Sequence, residues 1–93
     1  MLMYFLTIDT EHEPGSVAIV SVNCTTPDVQ AYVTLGKVAM TGEPLTIALA
    51  AEKIAQDAGW LVSGVWKLMT DQWASPVNRD TAAARAASVS HFN

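Results

Sequence analysis

The stretch Thr26-Pro27-Asp28-Val29-Gln30-Ala31-Tyr32-Val33-Thr34-Leu35-Gly36-Lys37-Val38-Ala39-Met40 decides the fold, because its residues point two ways. Val29, Val33, Thr34 and Val38 are β-branched and Tyr32 is aromatic, all types that fit a pleated surface. Against them stands a helix start: a capping hydroxyl at Thr26, proline at the first helical position, and Asp28 near the positive end of a helix dipole. Gln30, Thr34, Lys37 and Thr41 recur at spacings of four, three and four, one narrow polar stripe on a helix. Gly42 sits where such a helix would stop, and Gly36 costs it about 1 kcal/mol in its interior. The capping signals and the stripe favour helix. Strand is the alternative.

The flanks are clearer. Residues 2–9 alternate, with Leu2, Tyr4, Leu6 and Ile8 on one side and Met3, Phe5, Thr7 and Asp9 on the other, as a strand requires. Pro14-Gly15 punctuates a turn, and Val17 to Val22 forms a second strand that pairs with the first as a hairpin. Pro44 through Ala58 is a helix: proline suits its first turn, its middle is rich in Ala, Leu and Glu, and Gly59 ends it. Ile47, Ala51, Ile54 and Ala58 run down its inner side.

All three tryptophans follow, in Gly59-Trp60-Leu61-Val62-Ser63-Gly64-Val65-Trp66-Lys67-Leu68-Met69 and Gln72-Trp73-Ala74-Ser75-Pro76-Val77. A two-residue turn at Thr70-Asp71 sets Leu68 opposite Trp73 and Trp66 opposite Ser75. That register places Trp60, Trp66 and Trp73 on one face, with Lys67 and Met69 on the other. Pro76 donates no ladder hydrogen bond, which makes the last strand an edge. The expected fold is α+β, a single domain over residues 1–79. An antiparallel sheet of two β-hairpins carries a helical middle packed on one face (ββ-αα-ββ), or βββ-α-ββ under the strand reading. An Ala-rich tail or short helix occupies 80–93.

Composition narrows the function. Of 93 residues, 51% are apolar and 15% charged, against roughly 25% charged in an ordinary domain. A chain this short buries only about 60–65% of its unfolded surface, so a homodimer or protein partner is the expected way to hide the excess. Net charge is −4 and Lys plus Arg total five, too few for a phosphate-tracking stripe, so nucleic acid is not expected as a partner. One cysteine allows no internal disulfide and fits a reducing, cytoplasmic setting. The apolar start is broken by Thr7 and Asp9 and lacks a basic leader, and no run is long enough to span a bilayer.

Chemistry-bearing residues are sparse. Asp9, Glu11, His12 and Glu13 are metal-type ligands, but they lack the spacing of a calcium loop and read as a solvated turn. Cys24 with His12 or His91 lacks the context of a thiol nucleophile. Neither a cofactor nor a catalytic or metal site is expected, and the chain reads as a non-enzyme. The candidates that remain are protein-contact residues: Trp60, Trp66 and Trp73, since tryptophan is enriched at binding hot spots, and Met3 and Phe5 on the second face of the first strand.

The block Ala58 to Trp66, followed by Gln72 to Val77, resembles the C-terminal half of small uncharacterised proteins from actinobacterial genomes and their phages (the mycobacteriophage type). Those read as an alanine-rich helix, then Gly-Trp-x-Val-Ser/Thr-Gly-x-Trp, then an aromatic residue ahead of Pro-Val. The likeness stops there; the N-terminal half carries none of it. It implies a small accessory protein made in the host cytoplasm that binds and modulates or inactivates one host protein of the division and polar-growth, transcription or defence machinery. The alternative is a structural or assembly component of a virion or other complex.

Overall fold

The computed structural model describes residues 2–23, 25 and 29–79. Cys24, the helix-start residues 26–28, His91 and the whole segment 80–93 lie outside the described residues. Seven elements follow one another: β1 (Leu2–Asp9), β2 (Ser16–Asn23), β3 (Val29–Lys37), α1 (Pro44–Asp57), β4 (Trp60–Val62), β5 (Lys67–Leu68) and β6 (Gln72–Arg79). The six strands form one antiparallel sheet in the order β3-β2-β1-β6-β4, with β5 also paired to β6. The class is α+β, with a single helix among the described residues.

Residues 29–37 of the stretch that decides the fold are a strand, which corrects the helix expected there. β2 explains why. Its residues Val17, Ile19, Ala18 and Val20 are buried on both faces, so β2 is an interior strand that needs partners along both edges. β1 takes one edge, and β3 satisfies the other with pairs from Ser16↔Lys37 to Val22↔Val29. Intrinsic helix signals of a few tenths of a kcal/mol each lose to a complete hydrogen-bond ladder. Gly36 pairs with Val17 in the strand, and Ile54 of α1 lies over it at ordinary van der Waals distance from where a Cβ would stand.

The β1–β2 hairpin has the expected alternation, with Leu6 opposite Ile19 and Ile8 opposite Val17. Its turn closes on Gly15, whose φ of 93° lies in the left-handed region and whose N–H donates to the Asp9 carbonyl at 2.8 Å. The Val38 N–H in turn donates to the Gly15 carbonyl at 2.8 Å, fastening the chain beyond β3 to this turn.

α1 also has its expected bounds, with Pro44 in the first turn and Gly59 at φ 90° just beyond the cap residue Ala58. Ile47, Ala51 and Ala55 of α1 pack on Leu6 and Ile8 of β1, Val17 and Ile19 of β2, and Trp60 and Val77. The alanines keep the helix close to the sheet. Full burial of a side chain such as Leu6 or Ile8 is worth about 1.5–3 kcal/mol.

Two details of the C-terminal hairpin are corrected. β6 is not an edge: it pairs with β1 on one side and with β4 and β5 on the other. The strand opposite it is broken, because Lys67↔Ala74 and Leu68↔Trp73 are out of step with Val62↔Val77. The break faces Pro76. Pro76 accepts a hydrogen bond from the Ser63 N–H at 2.9 Å but has no N–H to return, so the partner strand leaves the ladder there. Ser63 to Trp66 bow outward, and Gly64 lies so near the Pro76 ring that an added Cβ would stand 2.6 Å from its Cγ.

Both glycine positions are testable. Gly15→Ala would force a non-glycine residue to positive φ and drive its Cβ into the Val38 backbone carbonyl. Thermal or urea unfolding should show a loss of about 2–4 kcal/mol. Gly64→Ala meets a stiff ring rather than backbone, and about 1–3 kcal/mol is expected.

Candidate functional site

Asp9, Glu11, His12 and Glu13 come together as a self-closed turn. The Asp9 carboxylate accepts hydrogen bonds from the backbone N–H groups of Glu11 (3.0 Å), His12 (3.2 Å) and Glu13 (2.9 Å). The Glu11 and Glu13 N–H groups chiefly, with a smaller contribution from His12, hold the Asp9 carboxyl below its ordinary value of 3.8. Its oxygens are thus committed to the chain's own backbone. Among the described residues no group of three or more His, Cys, Asp or Glu side chains is placed to hold a metal ion.

The three tryptophans share the α1 side of the sheet, as the hairpin register requires. Trp60 is buried in the core, and Trp66 and Trp73 are half-buried against it. Trp60 is held between two partners: the Tyr4 ring, at 5.0 Å between centroids and tilted by 49°, and the Arg79 guanidinium, 4.3 Å from the indole centroid. The Trp66 indole N–H donates to the Glu52 carboxylate of α1 at 3.2 Å, tying the bowed segment to the helix. The Ser75 hydroxyl donates to the Gly64 carbonyl at 3.2 Å and ties the same segment to β6. Met3 and Phe5 lie on the opposite face, with Met3 exposed and Phe5 half-buried.

Large aliphatic side chains are exposed on α1 and around β5, where the tryptophan count alone does not point. Leu45 and Leu49 are one turn apart on α1 and are 66% and 55% exposed. Glu52 continues their stripe at helical spacing, and its bond to Trp66 joins α1 to the bowed segment. There Val65 is 79% exposed and Leu68 63%. Leu45 and Leu49 on α1, with Val65 and Leu68 on the stretch that the Glu52–Trp66 bond joins to it, make up an aliphatic flank. In the sequence, Leu45 and Leu49 read as ordinary helix residues; only their offset from the Ile47-Ala51-Ala55 line marks them as outward.

Two of the concavities among the described residues border the tryptophans and Phe5. One, of about 360 Å³, opens between β1, β3 and the end of α1 and is lined by Tyr4, Val33, Leu35, Trp60 and Arg79 among others. The other, of about 210 Å³, lies on the far face of the sheet, over Phe5, Thr7, Val20 and Val22, with Lys67 and Met69 at its rim. Neither gathers a nucleophile with a base. No described helix is long and apolar enough to cross a membrane.

The fold and flank define a small α+β sheet domain presenting an aliphatic surface. Comparison with protein-family models, with curated proteins and with solved structures finds no match for the chain.

Two measurements check the geometry. Titration of Asp9 by NMR should give a pKa below 3.8. Because the folded value is depressed, the turn's stabilisation is complete above that pH and disappears as pH falls through the folded value; Asp9→Asn should remove this step from the pH–stability curve. Trp66→Phe keeps a smaller aromatic ring but deletes the donor to Glu52, and should cost at least about 1 kcal/mol in an unfolding experiment.

Proposed function

We propose that this chain is a non-enzymatic interaction protein of the phage accessory type, which docks on one host protein in the cytoplasm and modulates or inactivates it. The observation that carries this reading is the aliphatic flank of Leu45, Leu49, Val65 and Leu68. Four large apolar side chains more than half exposed on one side of a 93-residue chain are a surface awaiting a partner. Its position adds support. The flank sits on a helix locked to the sheet through Glu52–Trp66, so little ordering is needed on association. Trp66 and Trp73 lie half-buried beside it, and truncating such rings is typically costly at interfaces. Self-association through the same flank is the route to a homodimer. The phage assignment rests on the resemblance of residues 58–66 and 72–77 alone.

Expression of the tagged chain in an actinobacterial host, followed by affinity capture, is expected to recover one dominant host protein. Leu49→Asp with Leu68→Asp should abolish recovery while changing unfolding stability by no more than about 0.5 kcal/mol, since both side chains are exposed. Equal recovery by the double variant would remove the flank from the interface. A chain that is monomeric and captures nothing would overturn the interaction reading.

A further inference from the structure

α1 covers only part of its face of the sheet. At the helix's C-terminal end, Tyr4 of β1, Ser21 of β2 and Val33 of β3 line the concavity of about 360 Å³, and Ala58 contributes the helix's side of the wall. Tyr4 pairs with Ser21 and Val77, and Trp60 with Arg79, so the lining is built across neighbouring strands rather than from one loop. Its chemistry is of two kinds. Val33, Leu35 and the rings of Tyr4 and Trp60 make it largely apolar, while Arg79 is the one charged side chain among the described residues that line it. No carboxylate is among them, although the chain has nine Asp and Glu and a net charge of −4.

We propose that this concavity binds a small organic carboxylate with an apolar body, an alkanoate or arylalkanoate, with its charge on Arg79 and its body against Trp60, Val33 and Leu35. The volume lies in the range of small-molecule sites, which are mostly apolar with a few placed polar groups. The polar group here is suited to a carboxylate, since the planar guanidinium fork accepts one in bidentate fashion. It is also held in place. The Arg79 guanidinium lies 4.3 Å from the Trp60 ring centroid, a contact that positions the cation without consuming an oxygen acceptor. Trp60 is itself 6% exposed and braced by Tyr4, so the platform is ordered before a ligand arrives. The end of α1 offers little to oppose a negative charge: the Ala58 N–H donates to the Ile54 and Ala55 carbonyls at 3.2 and 3.1 Å, and the Gly59 N–H to the Gln56 carbonyl at 3.0 Å. Val33 is 56% exposed, and an apolar body lying in the concavity would cover it. An amine in place of the carboxylate would meet Arg79 as a like charge. None of Leu45, Leu49, Val65 and Leu68 lines the concavity, so this site and the aliphatic flank stand or fall separately.

The test titrates the isotope-labelled full chain with octanoate and phenylbutyrate at neutral pH, followed by NMR, with phenylbutylamine as the cationic control. Saturable shifts of the Trp60 indole N–H and of the Val33 and Leu35 methyl groups are expected with the carboxylates and not with the amine. Arg79→Gln keeps a planar polar group but loses the charge, and should weaken carboxylate binding by about tenfold or more. Because Arg79 also braces Trp60, a second variant guards against a loosened fold. Val33→Asp changes an exposed position, leaves Arg79 and Trp60 in place, and should lower carboxylate affinity by placing a like charge at the mouth. Equal shifts from the amine, an affinity unchanged in either folded variant, or shifts centred on Phe5 and Val20 of the opposite concavity would each overturn the proposal. So would the absence of any saturable shift at millimolar ligand.

Discussion

The β1–β6 ladder holds the molecule together. β1, β2 and β3 form one meander, and β4, β5 and β6 form a smaller unit around the tryptophans. Six antiparallel pairs, from Tyr4↔Val77 to Asp9↔Gln72, join the two into a single sheet. Only with that seam closed do Leu6 and Ile8 of the first unit lie beside Val77 and Trp60 of the second, under one helix. The seam links residues some seventy positions apart in sequence, so its loop entropy must be met before its contacts count. Thr10 fastens its end: its N–H donates to the Asp71 carbonyl at 3.1 Å and its hydroxyl to that of Thr70 at 3.4 Å.

Against that seam, the legible and illegible parts of the sequence separate cleanly. The β1–β2 hairpin, the bounds of α1 and the shared face of Trp60, Trp66 and Trp73 follow from local pattern: alternation, caps and a two-residue turn. Residues 29–37 could not be read locally, because their state depends on the second edge of β2, which no short-range signal reports. Pro76 lacks a ladder donor, as the sequence shows, but the consequence falls on a different strand from the one the sequence suggests. The missing donor does not push β6 to the edge of the sheet; it expels the neighbour. The aliphatic flank was hidden for a related reason, since Leu45 and Leu49 differ from inward leucines only by an angle about the helix axis.

Tryptophan enrichment at interfaces and tryptophan use in cores give opposite readings of the same three residues, and the structure divides them. Trp60 is a core residue with two specific partners, Tyr4 and Arg79, each interaction of a kind worth about 0.5–1.5 kcal/mol. Trp66 is a tether. Its indole spans from the bowed segment to α1, and the segment it holds carries Val65 outward. The core and the exposed aliphatic side chains are therefore coupled, through Trp66 to α1 and through Ser75 to β6, rather than built from separate parts.

The break opposite Pro76 bears on solubility. A sheet rich in apolar residues invites open-ended stacking of its outermost strands. Here one border is cut into pieces of three and two residues, β4 and β5, too short to template another chain. The other border, β3, carries register shifts opposite Val17/Ala18 and Ser21/Val22, which bend its backbone out of line. Neither border presents a long straight row of free amides. The sticky side chains thus sit on a sheet whose borders offer another chain little straight backbone to pair with.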